Sequence, residues 1–324
     1  MKKCSKNIAP HLAHLINTIL RTGIFPQIFK VSRILPLSKP DKDKFCIESY
    51  RPINNLCALE KVVEAYILYH LEQFYDKHNI INKNHHGGRQ QHSTMTAITM
   101  IYDELYRNND TGKHTILLAT DLSSAYDTID TEILLAKLDH YGIRGHYNNL
   151  FRSYYTSRKE YVCIDNANSV LRDSLQCSIV QGSRLSSIMF NTYCNEIPLI
   201  PKLINTPLYH KLVDKTKLNI TKVTHMVINF IDDSTNIIGF NDHGKIQGYM
   251  EKYYVLLSKF YNINKLKINN DKNKMIIINK PKWDNIFKNF TFKAGNHIVK
   301  AKPKIKILGI WLQNNLKMDS QLIN

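Results

Sequence analysis

Apolar residues along this chain recur at two spacings, three-to-four and two, and each spacing predicts an element. Ile8, Leu12, Leu15, Ile16, Ile19 and Leu20 share one helical face, which Thr22-Gly23 and then Pro26 terminate. Val31 to Leu37 reads as a strand, followed by a basic turn from Ser38 to Lys44. Leu59, Val62, Val63, Tyr66, Ile67 and Phe74 predict an amphipathic helix over residues 58–75. Asn84 to Arg89 is a loop, and Ser93 is placed to cap a helix bearing Ile98, Ile101 and Leu105. Thr115 to Thr120 is a continuous apolar strand that ends in Asp121. Asp130 caps a further helix that stops at Gly142.

Tyr161–Ile164 and Ser169–Leu175 flank Asp165-Asn166 as a hairpin, and a helix is expected over about 184–197. Residues 200–224 are polar, Lys-rich and weakly patterned, an insertion or long loop. Met226–Ile231 and Thr235–Phe240 form a second hairpin through Asp232-Asp233-Ser234. A helix over about 247–262, a strand at Met275–Ile278, a third hairpin around Gly295-Asn296 and an apolar run at Ile305–Leu312 complete the pattern. Strands and helices mix without regular βαβ alternation, which points to an α+β fold.

Size and charge sharpen this picture. The 324 residues suit two subdomains better than one core. Forty-four Lys+Arg against 27 Asp+Glu leave a net charge of +17, which favours a polyanionic partner such as nucleic acid. Lys enrichment from an AT-rich coding sequence is the plainer source of the same number. Six scattered cysteines show no C-x-x-C and no zinc spacing, so a reducing, intracellular compartment is expected, nucleus or cytoplasm left open. No stretch approaches the roughly 18 apolar residues of a spanning helix, and the basic residues do not gather on one amphipathic helix, so no membrane partner is expected.

Candidate chemistry lies in three acids. Asp121 ends a strand, where a rigid element presents its carboxylate; Asp232-Asp233 sits between two apolar strands. Each alone reads equally as a cap or turn residue. Adjacent carboxylates repel unless a cation neutralises them. Together the three suit hard divalent ions, and two such ions about 3.5–4 Å apart clamp the attacking and leaving oxygens of phosphoryl transfer.

The surrounding stretches carry more. Asp121-Leu-Ser-Ser-Ala-Tyr126-Asp-Thr-Ile-Asp130, Gln181-Gly182-Ser183-Arg-Leu185-Ser186 and Phe230-Ile231-Asp232-Asp233 resemble, in order, the three core palm motifs of reverse transcriptases. Lys39-Pro40 with Ser49-Tyr50-Arg51-Pro52-Ile53, and His86-Gly87-Gly88-Arg89 with Ser93-Thr94, look like the fingers segments of that family. Leu266 to Lys274 is similar to the following palm motif, and Leu308-Gly309-Ile310 to the primer-grip region. The likeness is strongest to the non-LTR (LINE-type) retrotransposon class.

That resemblance implies a right-hand polymerase with fingers over 1–114 and a palm with an antiparallel sheet over 115–324. The palm would include the insertion at about 200–224 and the primer-grip region at about 305–316, with the thumb largely absent. It implies an RNA-directed DNA polymerase, a nucleotidyltransferase that takes an RNA template, a DNA primer and dNTPs. Asp121, Asp232 and Asp233, with the backbone of Leu122, would hold two Mg²⁺ ions, Mn²⁺ being a substitute. Tyr126 would be the steric gate against a 2′-OH, and Ser124 and Ala125 would lie beside it at the nucleotide. Lys39 and Arg51 would grip the triphosphate, Gln181 and Gly182 would line the pocket, and Lys272 would protonate pyrophosphate.

The chain departs from the family where Ser178-Ile179-Val180 replaces Gly-Val-Pro, Ser187 replaces Pro, and Asn273 stands for Thr. The resemblance leaves no nicking endonuclease ahead of these motifs and little room for a helical thumb after them, so a fragment, a decayed copy or a minimal enzyme working with a separate endonuclease or thumb-bearing chain is expected. The rival functions are a nucleic-acid-binding remnant without turnover and an RNA-dependent RNA polymerase.

Overall fold

The computed structural model describes residues 5–40, 42–165, 167–174, 179–204, 206, 223–278, 287 and 290–316. In chain order the elements are α1 (Ser5–Thr22), β1 (Val31–Ser38), β2 (Tyr50–Asn55), α2 (Ala58–Lys77), α3 (Thr94–Asp110), β3 (His114–Thr120), α4 (Thr131–His140) and α5 (Gly145–Tyr155). There follow β4 (Lys159–Ile164), the short β5 (Ala167–Asn168) and β6 (Arg172–Asp173), α6 (Ser186–Tyr193), and a single turn α7 (Ile200–Leu203). The remainder is β7 (Thr224–Phe230), β8 (Asp233–Phe240), α8 (His243–Ile263), β9 (Lys274–Ile278), β10 (Thr291–Ala294), β11 (His297–Lys300), β12 (Lys304–Ile307) and β13 (Ile310–Gln313).

The elements form two compact units, each assembled from two chain segments: residues 1–80 with 126–193, and 81–125 with 194–324. In the first unit β1 pairs antiparallel with β2 and parallel with β4, giving a mixed sheet of order β2-β1-β4-β5 with β6 also on β4. β2 was not evident as a strand because Pro52 interrupts it. Its place at the sheet edge is where a missing N–H is tolerated, and Pro52 sits opposite Pro36. α5, also not predicted, buries Leu150, Phe151, Tyr154 and Tyr155 behind a polar first turn. Tyr154 meets Phe25 edge to face at 4.9 Å in the core of this unit.

The second unit is built on an antiparallel sheet of order β7-β8-β3-β9. β3 runs between β8 and β9 and is buried along nearly its whole length, which explains its unbroken apolar sequence. Leu117, Ile228, Ile237 and Ile276 on one face pack with Ala97, Ile101 and Leu105 of α3 and with Ile305, Ile307 and Leu312 of the β12–β13 hairpin. Each such side chain contributes about 1.5–3 kcal/mol by leaving water. On the other face α8 hydrogen-bonds Tyr249 to His225 and Tyr253 to Asn236.

The caps follow the expectation. Ser93 forms a capping box with Thr96, and Asp130 accepts from the Ile133 amide at 3.0 Å. The predicted helix at 184–197 is shorter, ending at Tyr193 before a tight turn at Ile197–Leu199. Most of the Lys-rich stretch, residues 205 and 207–222, and residues 175–178, which include the last position of the first predicted hairpin, lie outside the described residues. Among the described residues no helix is long and apolar enough to cross a membrane.

Candidate active site

Three of the predicted acids belong to the second unit. Thr120 pairs with Ser234 at the end of the β3–β8 ladder, so Asp121 is the first residue beyond it. The chain is pinned there: Asp121 O accepts from Asn269 N at 2.9 Å, Leu122 bridges to Ile268, and Ser123 N donates to Lys267 O at 2.8 Å. Phe230 pairs directly with Asp233, leaving Ile231-Asp232 as a two-residue hairpin turn. Asp121 and Asp233 line one cavity of about 250 Å³, together with Lys272, Lys274 and Lys306.

The charges there are crowded. Burial, then the charges of Asp232 and Asp121, push the Asp233 carboxyl up to about 6. Asp232 is raised as well, by burial first and by Asp121. Lys272 answers on one side, donating from Nζ to Asp121 Oδ2 at 2.6 Å. Among the described residues no group of three or more His, Cys, Asp or Glu side chains is gathered into a ready cage for a metal ion. The donor set nevertheless fits a hard divalent cation, since oxygen ligands under mutual repulsion gain most from added positive charge.

The turn that carries Asp232 is strained and buttressed. Ile231 has φ 57°, a left-handed conformation costly for a β-branched residue. Residues 84–87 run beside β7: Asn229 N donates to Asn84 O and His86 N donates to Asn229 O, both at 2.9 Å. Gly87 lies so close that a Cβ would come within 2.5 Å of the Ile231 side chain and 2.7 Å of its backbone nitrogen. The sequence marked this loop only by family likeness; that it wedges the acidic turn is a long-range contact with no local signal.

The same loop supplies a pH-dependent element. His85 is fully buried, and burial, reinforced by Arg89, pushes its ring down to about 3 from an ordinary 6.5. A histidine held neutral in the folded state loses stability as pH falls below its unfolded value, because only the unfolded chain takes up the proton. Between pH 7.5 and 5.5 His85 is expected to cost about 1.4 kcal/mol. Urea melts at the two pH values check this against His85→Gln, whose drop should be smaller by that amount; equal drops would contradict a buried neutral ring. His225, bonded through both ring nitrogens to Tyr249 and Asn236, is pushed down by burial too and acts in the same direction.

The remaining predicted residues divide between the units. Ser124, at φ 48°, and the buried Ala125 belong to the second. Lys39, Arg51, Tyr126, Gln181 and Gly182 belong to the first. There β2 ties several of them together: Arg51 stands opposite Leu37, and Asn54 N donates to Gln181 O at 2.8 Å. Lys39 N donates to Ser49 O at 2.7 Å. Tyr126 O accepts from Ile179 N, and its ring lies 5.3 Å from that of Phe190. Gln181 Nε2 donates to Asp127 Oδ1 at 3.3 Å, and burial raises the Asp127 carboxyl.

A strand-end acid and a buttressed acidic hairpin on one antiparallel sheet are consistent with the right-hand polymerase fold. Solved structures agree on the fold: apo telomerase from Candida tropicalis, truncated from its C-terminal domain, aligns with TM-score 0.55 at 13% identity over 91% of this chain and 55% of that one. Telomerase from Candida albicans, in complex with a fragment of telomeric RNA, aligns with TM-score 0.53 at 14% identity over 93% and 47%. Residues 37–312 match the family model for reverse transcriptase (RNA-dependent DNA polymerase), and the chain belongs to that family. It is 28% identical over 188 residues to the probable RNA-directed DNA polymerase from transposon BS of Drosophila melanogaster, covering 58% of this chain and 20% of that protein. It is 25% identical over 187 residues to the RNA-directed DNA polymerase from mobile element jockey of the same fly, with the same coverage. These relatives support the LINE-type class; the chain spans about a fifth of their length.

Proposed function

We propose that this chain is the polymerase domain of a LINE-type element, joining dNTPs to a primer 3′-OH on an RNA template. The observation that carries the reading is the cavity that Asp121 and Asp233 share, where burial and then the neighbouring carboxylates raise Asp233 to about 6. Asp121, Asp232, Asp233 and the Leu122 carbonyl would hold two Mg²⁺ ions, Mn²⁺ substituting. Bound there, the ions supply charge neutralisation at the attacking and leaving oxygens.

The chain's own residues do the rest. Arg51, with a planar fork suited to phosphate oxygens, and Lys39 bind the triphosphate. Gln181 and Gly182, with Ser124 and Ala125, hold the nucleotide, and Tyr126 excludes ribose. Lys272, released from Asp121, carries the proton for departing pyrophosphate.

The test is primer extension on poly(rA)/oligo(dT), comparing dTTP with UTP. The intact chain should use dTTP, and Tyr126→Ala should narrow the preference by about tenfold or more, the size expected when a steric exclusion worth over 1 kcal/mol is removed. Preference for UTP by the intact chain would make this an RNA polymerase, and no extension with either would withdraw the reading.

A further inference from the structure

The predicted pocket residues Gln181 and Gly182 sit on a turn whose shape is not set by their own sequence. α2 buries Glu60, Val63, Glu64, Ile67, Leu71 and Tyr75 on one face, so two carboxylates one turn apart face the core. Both are fully buried. Glu60 has a cation: Arg158 Nη2 donates to it at 2.8 Å, although burial still pushes its carboxyl up to about 7. Glu64 is used differently. Its Oε2 accepts from the backbone N–H of Arg184 at 3.0 Å. Its Oε1 accepts from the Ser183 hydroxyl at 2.8 Å and the Tyr154 hydroxyl at 2.5 Å. The same Ser183 Oγ accepts from Leu185 N at 3.0 Å, and Ser186 Oγ donates to Ser183 O at 2.7 Å.

We infer that Glu64 is a positioning residue for the incoming nucleotide: it fixes the turn at Gln181–Leu185 from behind, without touching substrate. The inference rests on the proposed polymerase reading for its consequence, but its geometry stands on the three hydrogen bonds. The turn is held at two points, Gln181 by the N–H of Asn54 in β2 and Ser183-Arg184 by Glu64 of α2. The Ser183 and Tyr154 hydroxyls are buried, and a buried donor left without its acceptor costs far more than the same bond contributes when made, so removal of the Glu64 acceptor should shift the turn. Acceptor geometry is the requirement, not charge. A glutamine at this position keeps one oxygen for the Arg184 N–H, while its amide donates to the two hydroxyls.

The experiment pairs Glu64→Met, of similar volume without an acceptor, with Glu64→Gln. Steady-state primer extension should show the KM for dNTP raised about tenfold in Glu64→Met, with kcat and template–primer Kd within about threefold, the scale of one lost hydrogen bond to a charged group. Glu64→Gln should stay within about threefold of the intact chain throughout. Hydrogen exchange gives a readout that needs no activity: the Arg184 amide should lose protection in Glu64→Met and keep it in Glu64→Gln. Tyr154→Phe and Ser183→Ala remove one arm each with little change of packing, and should raise the KM by smaller factors even where Glu64→Met does not fold. A residue that matters only for stability would lower kcat through the active fraction and leave the KM alone. Unchanged KM in all these variants, or unchanged Arg184 exchange in Glu64→Met, overturns the inference. An intact chain that extends no primer counts against the polymerase reading, while the exchange data still decide the anchoring.

Discussion

Asp233→Asn is expected to lower primer extension by roughly a thousandfold while making the protein more stable at neutral pH. The loss follows if Asp233 is an oxygen ligand at the reacting phosphate, where charge neutralisation is worth several kcal/mol. The gain follows from crowding. Asp233 is raised from 3.8 to about 6, by burial and then by Asp232 and Asp121, so its charged form is disfavoured in the folded chain. For a carboxyl raised in the folded state, the cost is fully present above pH 6 and disappears as pH falls below about 4. A shift of that size would be roughly 3 kcal/mol for a fully buried group; Asp233 keeps part of its surface in water, so screening leaves about 1 kcal/mol. Urea melts should therefore show the variant more stable at pH 7.5 and equal to the intact chain near pH 4. Mg²⁺ should raise the melting temperature of the intact chain and do less for the variant. A variant that loses activity and stability together would mean that Asp233 is structural, and one that keeps its activity would remove it from the site.

How far the sequence foretold this site depended on whether the cause was local. β3 announced itself because a central strand buried on both faces must be apolar throughout, and the one acid at its end then stood out. The β7–β8 hairpin was equally legible, but its turn was not. Turn chemistry favoured Asp232-Asp233-Ser234, whereas the structure uses Ile231-Asp232 and places a β-branched residue at φ 57°. Such a choice survives only because Gly87 and the bonds of Asn84 and His86 to Asn229 hold it, and those partners lie more than a hundred positions away along the chain. Glu60 and Glu64 left a trace that could have been read. They fall on the same stripe as Val63, Ile67 and Leu71, and acids on an apolar stripe require buried partners. Their partners, Arg158, Tyr154, Ser183 and Arg184, come together only through the fold.

Gly182→Ala is the second change with a large expected effect, because two penalties fall on one atom. Gly182 has φ +117°, a conformation essentially closed to residues with a Cβ. A Cβ built there would stand 2.5 Å from the carbonyl oxygen of Asn54, a backbone atom of β2 that has no rotamer by which to retreat. Asn54 is also the residue whose N–H holds Gln181 O at 2.8 Å, so relief of the clash breaks that bond and frees the Gln181 amide from Asp127. Together the strain and the lost contact predict about a hundredfold lower kcat/KM for dNTP, equivalent to roughly 2.7 kcal/mol. Gly295→Ala provides the contrast. It too has positive φ, at +63°, but nothing lies within 4 Å of its added methyl, so it should lose some stability and keep its dNTP kinetics. If both alanines reduce extension equally, backbone strain alone explains the loss and the grip of β2 on the pocket turn has no catalytic consequence. A large loss in Gly182→Ala alone, with melting temperatures lowered alike in both, assigns the effect to the turn that Asn54 and Glu64 hold between them.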